Sequence, residues 1–403
     1  MSQEFEGVKI FKAQGGLNRE GLGTDAHMAI VVHVPAFPDN IASNDVIELL
    51  QVLDAETKGI NAAFDANNNV LVHYHIDEFF RYAPEGKLTL VLTAEETAAA
   101  FFAQDVAKAI VKNQSDAKRI GFVYNNNVAD LDLQAELTAC QGFIEALAEE
   151  HYLLDGITLE GRNIGTDAID NRVLDCGNCH VVIAQDPAIA SVDPAYANYA
   201  AVGTYLGMRA ARKPNENLGS LDIENKPDYA KGDLTFPLTY ALKGRWLSAA
   251  LSNGTAYDTL TGVQKDTLTA RAYIYAGSYS GSAGIYFNGE PTCIDIASDY
   301  AQGENNNIWN KAARGIRTAL LPRVKSRVKI DPASGFIRNT SAKYLESVGI
   351  VPLNKMLSDD EVSDYSLEIP TNQTPSDQTP LKVKGSVTKD RIIHLFEVDL
   401  GLK

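Results

Sequence analysis

The chain has 403 residues, of which 45% are hydrophobic and 22% are charged, a balance typical of soluble globular proteins. This length predicts two or three domains, and four cysteines are too few for a disulfide framework. The formal net charge of −16 argues against general nucleic-acid binding, which needs a positive field. The sequence shows no signal-peptide pattern and no apolar run of about 18 residues that would cross a membrane. We therefore expect a protein made in the cytoplasm with reduced thiols.

The first part of the chain predicts an arm, a connector and the start of a core. Val8–Lys12 is strand-like, and a glycine-rich stretch follows it. Ala29–Val34 predicts a buried strand, and Asn44–Thr57 predicts a helix that is capped at its first residues. The segments assigned here are 1–25 for the N-terminal arm and linker and 26–68 for part of a core domain.

Residues 69–212 alternate between strand and helix patterns, which predicts an α/β domain with a largely parallel sheet. The helix expected at Ala94–Lys112 begins with a capping box, in which Thr93 is the cap and Glu96 completes the box. The other helices are expected at Leu131–Glu150, near 166–175 and at 195–212. The expected strands are Val70–Ile76, Leu88–Thr93, Ile120–Tyr124, Ile157–Leu159 and Val181–Ala184.

The remaining sequence predicts a strand-rich region at 213–300 and a C-terminal α+β domain at 301–403. An amphipathic helix at Asn305–Leu321 precedes a period-two alternation of basic and apolar residues at Arg323–Ile330, which predicts a strand. The fold class is therefore α/β plus α+β, in a multi-domain subunit with extended terminal arms. The last expected elements are a helix at 340–357, a polar linker at 370–380 and strands near 381–387 and 391–400.

Two groups of residues have spacings that could hold a cofactor or a metal. Cys176, Cys179 and His180 fit a c-type haem attachment site or half of a zinc site. We favour buried structural residues, because haem attachment needs export and no second Cys/His pair with zinc spacing is visible. His73 and Asp77 flank a further histidine on the expected strand Val70–Ile76, and a solvated strand face is the commoner interpretation of that pattern.

Motifs for nucleotide binding or hydrolysis are missing from the sequence. There is no phosphate-binding GxxxxGK[ST], no GxGxxG after the first α/β strand and no GxSxG elbow. The glycine-rich run at 277–284 is more simply structural. We therefore predict no catalytic residue, no metal and no cofactor.

A basic segment stands out in this acidic chain. Residues 305–330 contain seven lysines and arginines and no acidic residue. The simple interpretation is a solvated charged face, and the alternative is a surface that docks an acidic protein through charge complementarity. The basic residues are Lys311, Arg314, Arg317, Arg323, Lys325, Arg327 and Lys329.

The strand expected at 391–400 is apolar on both faces. A strand of this kind would promote aggregation if it were left unpaired, so we expect it to lie within a sheet. The sheet could belong to the same chain or to a neighbour that accepts an added strand, and the residues leave both open. One face carries Ile392, His394, Phe396, Val398 and Leu400, and the other carries Ile393 and Leu395.

Four stretches mark the C-terminal third: NGEPTCIDIASDY, IRTALLPRVKSRVKIDPASG, IVPLNKML and the apolar, acidic end FEVDLGLK. With these stretches, it resembles the contractile tail sheath proteins of phages and phage-tail-like particles. The resemblance covers roughly residues 285–403, and two residues follow Gly401 where many sheath proteins end sooner. This resemblance implies a structural subunit, not an enzyme, that polymerises around an inner tube and contracts to drive it through a target envelope. It also implies that the α/β domain is a sheath insertion domain.

The resemblance further implies partners, a location and site residues. The implied partners are other copies in six-fold rings stacked helically, an acidic inner tube protein, and baseplate and terminator proteins, without nucleic acid or direct membrane insertion. Assembly would occur in the bacterial cytoplasm, and the product would be part of a virion or phage-tail-like particle. The implied tube-facing residues are Lys311, Arg314, Arg317, Arg323, Lys325 and Arg327. The implied inter-subunit arm residues are Val8, Ile10, Phe11, Ile392, His394, Leu395, Phe396, Val398 and Leu400.

Two other functions stay open on the sequence. One is a small-molecule-binding or redox protein with a ligand at the strand ends of the α/β domain. That function leaves the apolar terminal strand unexplained. The other is a non-contractile structural protein of a tail or baseplate.

Overall fold

The computed structural model describes residues 24–114, 116–125, 131–221, 238–239, 246–376, 379–394, 396–398 and 400. The N-terminal arm residues Val8, Ile10 and Phe11 and the C-terminal arm residue Leu395 lie outside these described residues. Within the described ranges, no helix is both long enough and apolar enough to span a membrane.

A seven-stranded sheet forms the centre of the fold. Its strands are β1 (His27–His33), β2 (Val46–Leu49), β3 (Lys87–Thr93), β4 (Arg119–Val123), β5 (Gly156–Glu160), β6 (Cys179–Val182) and, later in the chain, Tyr273–Ile274. The order is β2-β3-β1-β4-β5-β6 followed by the late strand, and all neighbours are parallel except β2 and β3. The predicted parallel sheet is confirmed.

The late strand Tyr273–Ile274 is β9 in chain order. The other short strands lie outside the central sheet and are β7 (Ala184–Gln185), β8 (Ala250–Leu251), β10 (Ala276–Gly277), β11 (Tyr286–Phe287), β12 (Asp364–Glu368) and β13 (Lys384–Thr388).

Helices cover both faces of this sheet. Parallel strands are apolar on both sides, and β1 follows that rule. Its Ile30 and Val32 enter the core that contains the helices Val72–Tyr82 and Val202–Ala210, while Ala29 and Val31 enter the core that contains the helices Ala98–Phe102 and Leu133–Glu149. The helices are α1 (Val52–Glu56), α2 (Ala62–Asn68), α3 (Val72–Tyr82), α4 (Ala98–Phe102), α5 (Asp105–Ala109), α6 (Leu133–Glu149), α7 (Pro187–Ala190), α8 (Val202–Ala210), α9 (Gly262–Ala270), α10 (Gly303–Leu320) and α11 (Asn339–Ser358).

The strand prediction at Val70–Ile76 is wrong, because this segment belongs to helix α3. Apolar residues recur there at helical spacing, and Val72, Ile76 and Phe79 are fully buried. In a helix, His73 and Asp77 lie on one partly exposed side, whereas His75 is buried on the other. The three side chains therefore do not converge as they would on a strand.

Three helix predictions are wrong in their extent. Asn44–Thr57 forms β2 and then α1, and Asn44 has a positive φ of 70° just before the strand. The segment Ala94–Lys112 is divided among α4, α5 and a π-helical turn. Thr93 cannot cap a helix because it ends β3, and Thr97 provides the cap of α4 by accepting a hydrogen bond from the Ala100 amide at 3.2 Å. The helix expected near 166–175 is only a 3₁₀ turn at Asn171–Val173, and α9 was not predicted.

The strand expected at Arg323–Ile330 is also wrong. Leu321–Arg323 is a 3₁₀ turn, Lys325 has a positive φ of 61°, and pairing is limited to one bridge between Ile330 and Ile337. The alternation of side chains has no buried face to stabilise it, since Val324 is 65% exposed. The described residues of 391–400 form no strand either.

The C-terminal region has its own small core. Helices α10 and α11 pack together, and the hairpin of β12 and β13 covers them. The hairpin contributes Leu367 to a cluster with Ile308 and Leu353. Helices α10 and α11 agree with the predictions at 305–321 and 340–357, and β13 agrees with the strand near 381–387.

Close helix packing yields a stability prediction. A Cβ on Gly203 of α8 would lie 2.3 Å from the His75 carbonyl oxygen of α3, whereas a Cβ on Gly142 of α6 would meet nothing within 4 Å. We expect Gly203→Ala to lower the free energy of unfolding by about 1–3 kcal/mol because the helices must separate. The matched variant Gly142→Ala should raise it by about 0.5–1 kcal/mol. Urea unfolding measures both, and shifts in the same direction would contradict the close contact of α3 and α8.

Candidate assembly surfaces

Helix α10 is fixed to the central sheet by asparagine side chains. Asn306 donates to the Gly177 carbonyl at 2.6 Å, and Asn310 donates to the Leu154 carbonyl at 3.1 Å. Both side chains are buried, so these hydrogen bonds are shielded from water. The polar face of α10 that carries these asparagines is therefore buried inside the protein rather than exposed to solvent.

A buried ionic cluster strengthens the connection between α10 and the central sheet, which we call the joint. The carboxylate of Glu290 lies 2.9 Å from Arg119 Nη2 of β4 and 3.3 Å from Arg209 Nη1 of α8. It also accepts a hydrogen bond from the Tyr205 hydroxyl at 2.6 Å, and Arg119 donates to Asn307 of α10 at 3.0 Å. Burial alone would raise the pKa of Glu290, but the two guanidinium groups outweigh it and lower the pKa to about 2. The carboxylate stays ionised and holds the three elements together.

Two of the residues expected to face the tube make ion pairs within the chain. Lys311 Nζ lies 2.6 Å from Asp25 and 2.5 Å from Glu361. Arg314 lies 2.6 Å from Asp155 and donates to the Leu153 carbonyl at 3.0 Å. These pairs neutralise both cations. Their assignment to a tube contact stays a prediction.

The other expected tube-facing residues form an exposed basic surface. We call Arg317, Arg323, Lys325 and Arg327 the basic surface; it follows the end of α10 and the irregular segment after it. Within the described residues, none of the four makes an ion pair, and Arg323 lies over the Tyr344 ring at 5.3 Å from its centroid. Their charge is therefore available to a partner.

The described part of the C-terminal arm belongs to no helix, strand or sheet. The side chains of Ile393, Phe396, Val398 and Leu400 are 66%, 77%, 80% and 91% exposed. Ile392 is partly buried and His394 is exposed. The sequence predicted a strand that needs a sheet, and within the described ranges of this single chain no sheet accepts it. Whether the arms pair with another subunit stays a prediction.

An apolar groove lies between α10 and the β12–β13 hairpin. It has a volume of about 740 Å³. Trp309, half exposed, lies edge-on to Tyr300 at one side, and the ring centroids are 6.5 Å apart. The floor and far side include Ile316, Leu353, Leu367 and Val387. The sequence predicted the amphipathic helix but not the groove, since the other side of the groove comes from the β12–β13 hairpin, far along the chain.

The cysteine and histidine motif lies in the interior of the fold. Cys176, Cys179 and His180 are buried. The His180 Nδ1–H donates to the Pro291 carbonyl at 3.0 Å, and burial together with Arg119 lowers the pKa of His180 to about 3. Among the described residues, no group of three or more His, Cys, Asp or Glu side chains could hold a metal ion. The expectation that the two cysteines are buried is confirmed.

Two family profiles match the chain. The family profile described as "DUF2586, N-terminal domain" matches residues 5–290, and "DUF2586, C-terminal domain" matches residues 299–402. A sequence comparison with curated proteins finds no match.

Three solved structures illustrate the similarity in fold. The helical sheath of the anti-feeding prophage (AFP) in its contracted state is 13% identical, with 99% of each chain covered and a TM-score of 0.64. A chain of the six-fold symmetrised AFP baseplate is 11% identical, with 100% of each chain covered and a TM-score of 0.59. The sheath tail protein of Desulfitobacterium hafniense is 11% identical, with 96% of this chain and 100% of that chain covered and a TM-score of 0.55.

The start of α10 gives a pH-dependent prediction. Glu304 is buried beside Glu290 and accepts a hydrogen bond from Asn217 at 3.1 Å. Burial, with a contribution from Glu290, raises its pKa to about 7 from the usual 4.5. The folded protein therefore keeps a proton that the unfolded chain loses, and raising the pH from 4.5 to 7 lowers stability.

We expect the variant Glu304→Gln to lack this loss. Its stability relative to the natural protein should increase between pH 5 and pH 8 by up to about 3 kcal/mol. Urea unfolding at several pH values measures the difference, and the exposed change Glu149→Gln serves as the control. A Glu304→Gln effect that is independent of pH would contradict the raised pKa.

Proposed function

Because the chain belongs to the DUF2586 family and has the fold of contractile tail sheath proteins, we propose that it is a contractile sheath subunit. It polymerises around an inner tube, in six-fold rings that stack helically, and it contracts to drive the tube through a target envelope. The sheet domain is the insertion domain, and the C-terminal domain builds the polymer. Assembly takes place in the bacterial cytoplasm, and the product is a virion or phage-tail-like particle with baseplate and terminator proteins at its ends.

The observation that carries this proposal is the exposed apolar arm. Four apolar side chains between Ile393 and Leu400 project into solvent from a segment whose backbone is unpaired within the described residues. Burying such side chains yields about 25 cal/mol for each Å² of apolar surface. A subunit with this arm is therefore stabilised by association with a partner that covers it.

The partner of the arm is a neighbouring copy of the same chain. The groove between α10 and the hairpin is apolar, open and walled by Trp309 and Leu367. The hairpin has two outer edges, since β12 and β13 pair only with each other among the described residues. An extended segment from another subunit can add to such an edge through backbone hydrogen bonds and place its side chains in the groove. The N-terminal arm, with Val8, Ile10 and Phe11, joins the same network.

The basic surface faces the inner tube. Arg317, Arg323, Lys325 and Arg327 are exposed in a chain whose net charge is −16, so they concentrate positive charge on one side of an acidic molecule. An acidic tube protein is the complementary partner. Lys311 and Arg314 precede this surface on α10 and face the tube beside it, and their ion pairs hold the helix in place.

This function requires no catalytic chemistry. Contraction is a change between two packings of the same subunit with different inter-subunit contacts, and the arms keep neighbours connected while the domains turn.

Electron microscopy of negatively stained, purified protein tests the function. Long ribbed tubes are the expected result. Rings that never stack would favour a non-contractile tail or baseplate protein. Compact monomers that bind a chromophore or a metal would favour a small-molecule-binding or redox protein.

Removing the arm should abolish polymerisation. We expect a chain that lacks residues 391–403 to stay monomeric, because the apolar segment that joins neighbours is gone, and to keep its circular dichroism spectrum. Sedimentation measures the polymer fraction. Val263→Ser is the matched control, since Val263 is an apolar residue that is 76% exposed on α9 and is not part of the arm. A truncated chain that still forms tubes would disprove the role of the arm.

Reversing the charge of the basic surface should weaken tube binding. We expect Arg317→Glu with Arg323→Glu to reduce co-sedimentation with the tube protein at least about tenfold, and the reduction should be greatest at low salt. The control Lys58→Glu reverses an exposed charge after α1. Unchanged co-sedimentation would place the tube contact elsewhere.

A further inference from the structure

Four buried cysteines meet beside α10. Cys140 comes from α6, Cys176 and Cys179 flank the turn before β6, and Cys293 comes from the strand-rich region. Cys176 and Cys293 pair through their backbones, with the Cys176 amide donating to the Cys293 carbonyl at 3.0 Å. The sheath function proposed above uses none of these thiols.

Cys176 and Cys179 are the pair whose sulfur atoms share a contact. The Leu137 carbonyl oxygen lies 3.7 Å from the Cys176 Sγ and 3.6 Å from the Cys179 Sγ. The two residues also close a turn, in which the Cys179 amide donates to the Cys176 carbonyl at 3.2 Å. A disulfide requires Cα atoms roughly 4.4–6.8 Å apart, and residues at the first and last positions of a tight turn meet that requirement.

The two thiols differ in character. The hydrogen bond from Cys179 lowers the pKa of the Cys176 thiol, and burial raises the pKa of the Cys179 thiol. A thiolate is the attacking species in thiol–disulfide exchange, which makes Cys176 the first to react. Cys179 is then in position to attack the Cys176 sulfur and form the disulfide.

We propose that Cys176 and Cys179 form a reversible dithiol–disulfide pair that is oxidised by low-molecular-weight disulfides such as oxidised glutathione. The Cys176 thiolate attacks one sulfur of the oxidant, which forms a mixed disulfide and expels one glutathione thiolate. The Cys179 thiolate then attacks the Cys176 sulfur and expels the second glutathione thiolate. The two protons lost by the protein thiols are taken up by the expelled thiolates, and the oxidant is reduced by two electrons. Both sulfurs are buried, so the reaction proceeds through local opening of the turn.

The pair is positioned to act on the joint between the sheet and α10. Gly177, between the two cysteines, accepts the hydrogen bond from Asn306 of α10. The Asn178 amide donates to Gln141 of α6 at 3.2 Å, and its carbonyl accepts from the Ile157 amide of β5 at 2.9 Å. A disulfide across this turn fixes the loop on which α10 is held, so the redox state changes the rigidity of the joint.

Peptide mapping after oxidation tests the pair. The folded full-length chain is incubated with oxidised glutathione, unfolded in acid, and alkylated at its free thiols. The expected result is a disulfide between Cys176 and Cys179, with Cys140 and Cys293 alkylated, and full reversal by dithiothreitol. The variant Cys179→Ser should retain a mixed disulfide at Cys176, and Cys140→Ser should oxidise like the natural protein.

Two results would overturn the proposal. One is alkylation of all four cysteines after prolonged exposure to the oxidant, and the other is a disulfide that includes Cys293 or Cys140. Both of these results can be observed with the natural chain alone, so the test does not depend on whether a variant folds. A thermal unfolding midpoint that is equal in the oxidised and reduced chains would show that the pair does not act on the joint.

Discussion

Glu290 is a fully buried carboxylate on which three parts of the fold converge. Arg119 reaches it from the central sheet, and Arg209 and Tyr205 reach it from α8. Arg119 also holds Asn307 of α10, so the same guanidinium joins the sheet to the C-terminal region. A buried charge without partners is strongly unfavourable, and the cluster therefore permits only one relative position of these elements.

That constraint explains the unusual surface of α10. One side of the helix is polar and buried, because its asparagines bond to backbone carbonyls of the sheet domain. The opposite side is apolar and only partly covered, which leaves Trp309 half exposed beside the hairpin. The polar side of the helix is thus buried against the sheet domain, and its apolar side is partly exposed. A rigid connection through polar contacts leaves the apolar side available for assembly.

The sequence correctly predicted those elements whose own residue pattern is sufficient to identify them. Strand β1 and helix α11 are examples, since β-branched runs and helical periodicity identify them without knowledge of their neighbours. Helix α3 was mistaken for a strand because alternating His73 and His75 imitate period two over a few residues. Arg323–Ile330 alternates too, yet Val324 and Ile330 stay exposed and Val328 is only partly buried. The basic residues and the arm could be identified from charge and apolar pattern, whereas the pairing of Arg314 with Asp155 and the groove depend on contacts between residues far apart in the chain.

The exposed arm also affects the subunit before it enters any particle. An unpaired apolar segment attracts other unpaired segments in every orientation, and free subunits with such arms tend to form disordered aggregates as their concentration rises. Ordered growth then depends on a template that captures each subunit faster than two free subunits meet. The net charge of −16 helps here, because mutual repulsion slows encounters between free chains. In the proposed polymer, the arm that joins neighbours thus makes nucleation, rather than elongation, the step that a cell must control.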